Sequence, residues 1–137
     1  MGKKLFRLLF VLWAGSLCSS VWVALTLFYS QPDRHLAGSI AARLFSIESY
    51  LGAVVACLAA LLNMSSCFRF GFLAAALLLV NEWALKPLME HARLAGSSLG
   101  LGFAAWHGIS ALLYLTACAA LLRLIWKPDL LRATSAT

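Results

Sequence analysis

The chain has 137 residues, of which 63% are hydrophobic and only 12% are charged, and its formal net charge is +6. A soluble domain is roughly half apolar and about a quarter charged, and a chain of this length buries only about two-thirds of its surface on folding. The composition therefore excludes a soluble globular protein. It predicts a single domain over residues 1–137 whose apolar surface is covered by lipid.

The first element is an apolar run over residues 5–28. At about 1.5 Å per residue it is long enough to cross the hydrocarbon core of a bilayer. A short basic segment precedes it, as in a signal peptide, but the run is longer than a typical signal-peptide core, so we expect an uncleaved helix. Within it, Trp13, Gly15 and Ser16 are candidates for packing against another helix.

The next stretch, residues 29–44, is more polar than its neighbours. Ser30 and Pro32 are typical of a helix start, and the apolar residues that follow recur at helical spacing. This pattern predicts a short amphipathic helix at the membrane surface, or an extension of the next span. That second span is expected over residues 45–63.

The second half of the chain predicts two more spans, over residues 70–89 and 103–126. Pro87 lies near the end of the third span, where it should kink the helix or end it at the preceding residue. The glycine- and serine-rich stretch over residues 90–102 predicts a flexible loop. The fold class expected is an all-α, integral membrane four-helix bundle made of two helical hairpins.

The basic residues are distributed unequally between the two sides of such a bundle. Seven flank the side that holds both termini, and four flank the other side: Lys3, Lys4, Arg7, Arg69, Arg123, Lys127 and Arg132 against Arg34, Arg43, Lys86 and Arg93. Because basic residues concentrate on the cytoplasmic side, we expect both termini in the cytoplasm and a location in the inner (plasma) membrane. This asymmetry explains the positive net charge, which therefore gives no support to nucleic-acid binding.

Several polar residues fall inside the predicted spans, toward their outer halves. An ionisable group in a span costs about 2.5–3.5 kcal/mol on insertion scales, so it indicates a functional site. We predict a polar binding pocket on the outer side formed by Arg43, Glu48, Asn81, His107, Ser110 and Tyr114. The alternative is that these groups only join helices by hydrogen bonds, each contributing about 0.6 kcal/mol.

Two acidic residues have candidate basic partners. Glu82 and Lys86 are four residues apart in the favourable order, which predicts a local ion pair. Glu48 has two candidate partners, Arg43 and Lys86.

The evidence for a metal or cofactor is weak. The four cysteines lack metal-ligand spacing. The metal candidates are His107 and the Met89-x-His91 pair, because thioether and imidazole groups suit copper(I). Only His107 lies within a span, whereas a haem needs facing axial ligands, so no cofactor is expected. No nucleophile–base pair or phosphate-binding loop is present, which favours a non-enzymatic protein.

Motifs along most of the chain resemble those of a known family. They are Trp13-x-Gly15-Ser16, Ala37-Gly38-x-x-Ala41, Arg43-Leu44-Phe45, Ile47-Glu48-x-Tyr50, Asn81, Pro87-x-Met89 and His107-Gly108-x-Ser110. In order and spacing the sequence is similar to the domain of unknown function 4149 family, a transmembrane-protein-205-like group of four-span membrane domains. The family is also similar in outline to bacterial copper-resistance membrane domains. This chain lacks the additional intramembrane histidines or methionines that a copper conduit requires.

The sequence thus leads to three hypotheses about function. The first is a non-enzymatic membrane protein with a polar pocket on its outer side. The second is a transporter, permeation or resistance component for a metal ion or a small solute. The third is an accessory or assembly subunit of a larger membrane complex. The expected partners are the lipid bilayer and either further copies of the chain or another membrane subunit.

Overall fold

The computed structural model describes residues 2–62 and 68–126, so the connection around Met64 and Cys67 and the tail after Trp126 lie outside the described residues. The described chain is helical, with one isolated pair of bridge residues and no longer strand. Its elements are α1 (Gly2–Ser30), α2 (Arg34–Leu61), α3 (Arg69–Val80), a π-helical segment (Asn81–Leu85), α4 (Lys86–Ala95) and α5 (Phe103–Ile125). Since α3, the π-helical segment and α4 are continuous, the chain has four helices long and apolar enough to cross a membrane. The predicted all-α four-helix membrane bundle is confirmed.

The helices follow one another around the bundle in chain order. α1 packs on α2, α2 on α3, α3 on α5, and α5 returns to α1. The π-helical segment and α4 extend the contact with α5. Each helix therefore has two neighbours, and polar groups on its inner face can reach side chains of either one.

The core is built from large side chains of α1 that pack against small residues of the other helices. Phe10 and Trp13 are each 1% exposed, and Phe10 stacks on Phe68 with ring centroids 5.1 Å apart. Alanines supply much of the opposing surface: Ala56, Ala59, Ala74, Ala75 and Ala117 are all buried. Small residues let helix backbones come close together in a membrane, and here they also make room for the aromatic rings of α1.

The start of α2 differs from the prediction. Ser30 is the last residue of α1 and its hydroxyl donates to the carbonyl of Thr26 at 2.8 Å, so it does not cap the next helix. Asp33 is the cap, because its Oδ1 accepts hydrogen bonds from the amides of His35 and Leu36 at 2.8 and 3.1 Å. From Arg34 the helix runs without a break to Leu61. The polar stretch is thus an extension of the second span.

Pro87 does not end the third span. The helix widens into the π-helical segment over Asn81–Leu85 and then continues through Pro87 to Ala95. A proline ring clashes with the carbonyl four residues earlier and offers no amide hydrogen. A single π turn re-routes the backbone hydrogen bonds at that place, and this local change lets the helix pass the proline.

The stretch that was expected to be a flexible loop is largely ordered by hydrogen bonds. Only residues 96–102 are non-helical, and Ser98 and Leu101 exchange backbone hydrogen bonds of 2.9 and 3.0 Å. Leu99 and Gly100 between them have φ angles of 50° and 78°, the sign that a type I′ turn needs at both central positions. The indole of Trp106 donates to the carbonyl of Ser98 at 2.9 Å, which fastens the turn to α5.

Candidate functional site

Glu48 is the central residue of the candidate site. It stands at the middle of the 28-residue helix α2, and its side chain is 3% exposed. Its Oε1 accepts hydrogen bonds from the hydroxyls of Ser16 at 2.6 Å and Ser20 at 2.9 Å. The indole of Trp13 donates to the backbone carbonyl of Glu48 at 3.2 Å. α1 is therefore joined to α2 by three polar contacts at one residue.

The second carboxylate oxygen of Glu48 has no such partner. Oε2 exposes less than 1 Å² of surface, and no described residue donates a hydrogen bond to it. Neither candidate cation pairs with Glu48 among the described residues, because Arg43 is exposed and Lys86 binds elsewhere. A buried ionised carboxylate is costly unless it is paired and hydrogen-bonded. An ionised Glu48 therefore needs a positively charged partner that the described residues do not supply.

The predicted ion pair between Glu82 and Lys86 is confirmed. Lys86 Nζ lies 2.7 Å from Glu82 Oε1 and also donates to the hydroxyl of Ser46 at 2.6 Å. The Ser46 hydroxyl lies 3.0 Å from both oxygens of Glu82. This carboxylate is therefore paired with Lys86, and the single hydroxyl hydrogen of Ser46 lies within reach of either of its oxygens across the contact between α2 and the π-helical segment.

Two further polar contacts join α5 to the other helices. Ser110 donates to Oδ1 of Asn81 at 2.8 Å, and the Tyr114 hydroxyl donates to the backbone carbonyl of Phe45 at 3.0 Å. The Tyr114 ring also packs on the ring of Phe45 with centroids 4.4 Å apart. The Tyr114 hydroxyl is close enough to interact electrostatically with both Glu48 and Glu82.

Together these contacts form one polar layer across the bundle. We define the polar layer as Ser16, Ser20, Ser46, Glu48, Ser49, Asn81, Glu82, Lys86, Ser110 and Tyr114. Tyr114 interacts electrostatically with both acidic groups of the layer. It also shares an acceptor with Ser49, because both hydroxyls donate to the carbonyl of Phe45. Within the layer Glu48 is the carboxylate that lacks a positive partner among the described residues.

Of the six residues predicted to form a pocket, four lie in the polar layer and two lie outside it. Glu48, Asn81, Ser110 and Tyr114 belong to the polar layer. Asn81 and Ser110 are hydrogen-bonded to each other, whereas Glu48 and Tyr114 form their hydrogen bonds with other residues. Arg43 and His107 are exposed and lie outside the layer. The imidazole of His107 stacks on Phe103 at 5.8 Å, one turn from the start of α5. Of the three predicted pocket residues on α5, His107 is therefore exposed, Ser110 is half-buried and Tyr114 is buried.

The residues singled out on α1 also differ in their contacts. Trp13 and Ser16 both reach Glu48. A side chain at Gly15 would meet nothing within 4 Å, so this glycine lies on the outer surface of the bundle.

The metal candidates do not form a cluster in the described structure. Met89 is half-buried on α4, whereas His91 and His107 are exposed on α4 and α5. Among residues 2–62 and 68–126, no group of three histidine, cysteine, aspartate or glutamate side chains could hold a metal ion. Metal binding by these residues stays a prediction.

The contacts of Ser16 and Ser20 with Glu48, and of Ser46 with Glu82, were not predicted. Ser16 and Ser20 are four residues apart, and side chains at this spacing lie on the same face of a helix. That spacing is a usable signal for two hydroxyls aimed at one acceptor. The partners of Ser46 leave no such signal, because they come from a helix more than thirty residues away.

A family model matches a large part of the described helices. A family model described as "Domain of unknown function (DUF4149)" matches residues 8–98, which include most of α1 and the whole of α2, α3, the π-helical segment and α4. No curated protein and no solved structure matches the chain. The match leaves the likeness to transmembrane protein 205 as a prediction. Since it covers well over half of the chain, this protein belongs to the domain of unknown function 4149 family.

Proposed function

We propose that this protein is a transport or permeation component for a small cation, with the carboxylate of Glu48 as its binding group. It would act without enzymatic chemistry, in the inner membrane, with both termini in the cytoplasm. The observation that carries the proposal is the unpaired, fully buried Oε2 of Glu48.

The two glutamates of the polar layer supply the argument. Glu82 has an ion pair and hydrogen bonds that offset the cost of its burial. Glu48 is more deeply buried, yet its described partners are two hydroxyls and no cation. Ionisable residues inside a membrane face interior sites and mark ion pathways or proton relays, since a purely structural role is served at lower cost by neutral groups. A cation that occupies the site would supply the missing charge.

If Glu48 served only to join α1 to α2, its side chain would need a hydrogen-bond acceptor but no charge. Both serines donate to Oε1 alone, so glutamine keeps the acceptor that joins α1 to α2. Glu48→Gln therefore removes the charge while it preserves the helix contact. Glu82→Gln is the matched control, because it removes the other glutamate of the same layer, whose charge is already paired.

The test is cation flux into liposomes that contain the purified protein. We expect at least one of H⁺, Na⁺, K⁺ and Cu⁺ to enter faster than into protein-free liposomes, with the original chain and with Glu82→Gln. Glu48→Gln should reduce the rate to that of protein-free liposomes. The proposal is wrong if none of the four ions enters faster, or if Glu48→Gln transports as well as the original chain.

A second candidate, an accessory subunit of a larger complex, is favoured by the outer surface of α1. Gly15 has open space where a side chain would be, and Ser19 and Trp22 beside it are exposed. Small residues on a lipid-facing surface allow another helix to approach closely. The same purification, done in mild detergent, tests this candidate, because a stoichiometric partner that Gly15→Leu releases would support it.

A further inference from the structure

We propose that the cation bound at Glu48 is a proton, and that it is carried on Oε2. This inference rests on the function proposed above, since it takes Glu48 as the binding group and names the species that it binds.

The space around Oε2 is the first reason. The atom exposes less than 1 Å² of surface. A metal ion such as Ca²⁺ or Mg²⁺ collects about six or more oxygen ligands, several of them waters. Na⁺ and organic cations need room of at least similar size. A proton needs only one oxygen and no coordination shell, so it fits without displacing neighbouring side chains.

The difference between the two carboxylate oxygens is the second reason. Oε1 already accepts two hydroxyl hydrogens, from Ser16 and Ser20. Oε2 accepts none from the described residues, so its lone pairs are the ones available for a new bond. In the binding step a hydronium ion transfers its proton to Oε2, an O–H bond forms, a water molecule is left, and the carboxylate charge of −1 becomes zero. Release is the reverse step, with water as the acceptor.

The groups around Glu48 are the third reason. Tyr114 and Cys118, both on α5, are titratable side chains that interact with it electrostatically. From α1 it faces the hydroxyls of Ser16 and Ser20 and the indole of Trp13. All of these groups are neutral or acidic, so none can balance a carboxylate charge. Protonation of the carboxylate neutralises that charge, which avoids the cost of burying an unpaired ion.

Infrared difference spectroscopy of the full chain in lipid tests this directly. The carbonyl stretch of a protonated carboxylic acid is separated from the carboxylate bands and shifts in D₂O. We expect such a band in the original chain and in Glu82→Gln, lost as the pH rises, and absent from Glu48→Gln. If spectra of the original chain and Glu48→Gln do not differ in this region at any pH at which both stay folded, the inference is wrong.

Two serine variants locate the proton without altering the carboxyl group. If Oε2 carries the proton, Oε1 is the carbonyl oxygen, and it accepts hydrogen bonds from Ser16 and Ser20. Ser16→Ala and Ser20→Ala should then each move the acid band to higher wavenumber, because a carbonyl with fewer hydrogen bonds has a stiffer C=O bond. An unmoved band in both variants would contradict the assignment to Oε2, and these variants keep the test informative if Glu48→Gln does not fold.

The outcome also separates this inference from the proposed function. Glu48-dependent Na⁺, K⁺ or Cu⁺ flux without a protonated acid band would leave the transport proposal standing and overturn the proton. A pH-dependent acid band without any flux would leave the proton site standing and overturn transport.

Discussion

At the scale of single residues, the contact between Trp13 and Gly52 holds the candidate site together. The Trp13 ring crosses α2 where Gly52 has no side chain, and its indole reaches the carbonyl of Glu48 one turn earlier. A Cβ atom at Gly52 would lie 2.0 Å from Cζ2 of the ring. The absence of a side chain at Gly52 therefore allows the close approach of α1 and α2 that brings Ser16 and Ser20 to Glu48.

Gly52→Ala should destabilise the folded protein. Overpacking a well-packed core costs about 1–3 kcal/mol, and here the new atom meets a rigid indole ring that is 1% exposed. The measurement is the free energy of unfolding in mixed micelles. Gly15→Ala is the control, since the new methyl group meets nothing within 4 Å and alanine favours a helix by up to about 1 kcal/mol over glycine.

A double-mutant cycle shows whether the ring causes the loss. Trp13→Phe combined with Gly52→Ala should cost less than the sum of the two single changes, because the smaller ring leaves room for the methyl group. Strict additivity, or a Gly52→Ala protein as stable as the original chain, would contradict the close contact.

At the scale of elements, the length of the second and third spans on one side of the bundle depends on local backbone structure. The π-helical segment carries the third span past Pro87, so that α4 extends to Ala95. On the same side of the bundle, the start of α2 is capped by Asp33, and His35 in its first turn lies 3.2 Å from the guanidinium of Arg93 on α4. The bundle is thus extended beyond its apolar part by two helical segments that contact each other.

Asp33→Ala should weaken the start of α2. The variant removes the acceptor of the His35 and Leu36 amides, and loss of such a cap costs about 0.5–2 kcal/mol. Hydrogen exchange of these amides should become faster, while amides in the middle of α2 keep their protection. Asp33→Asn retains a capping oxygen and should exchange nearly as slowly as the original chain, so equal, fast exchange in both variants would exclude this role for the side chain.

At the scale of the whole molecule, the distribution of basic residues predicts the orientation. Both termini belong to the side with seven lysine and arginine residues, which the positive-inside rule assigns to the cytoplasm. The turn over residues 96–102 would then face the opposite side of the membrane, with Leu99 at its tip 79% exposed. Trp126, at the other end of α5, is 90% exposed and would face the cytoplasm.

Cysteine labelling tests this orientation in the full chain. In a background without the four native cysteines, Leu99→Cys should react with a membrane-impermeant maleimide added to intact cells. Trp126→Cys should react only after the membrane is permeabilised. The reverse pattern would place both termini outside the cytoplasm and refute the charge argument.

The sequence by itself determined the properties that depend on residues close together in the chain. Four apolar runs predicted four helices, because the length and hydropathy of a run are sufficient to indicate a span. The Glu82–Lys86 pair was predictable because residues four apart meet on one helix. The sequence also indicated that Glu48, Asn81, Ser110 and Tyr114 needed polar partners within the membrane.

Only the tertiary structure decided which partners those were. The serines that bind Glu48 lie about thirty residues away on α1, and the hydroxyl that binds Asn81 lies on α5. Such contacts depend on the order of the helices in the bundle, on their rotation and on how closely small residues let them approach. Hydropathy carries little of this information, because every face of a lipid-covered helix is apolar. The contact of Ser46 with Glu82 and the unpaired oxygen of Glu48 were therefore visible only once the helices were packed.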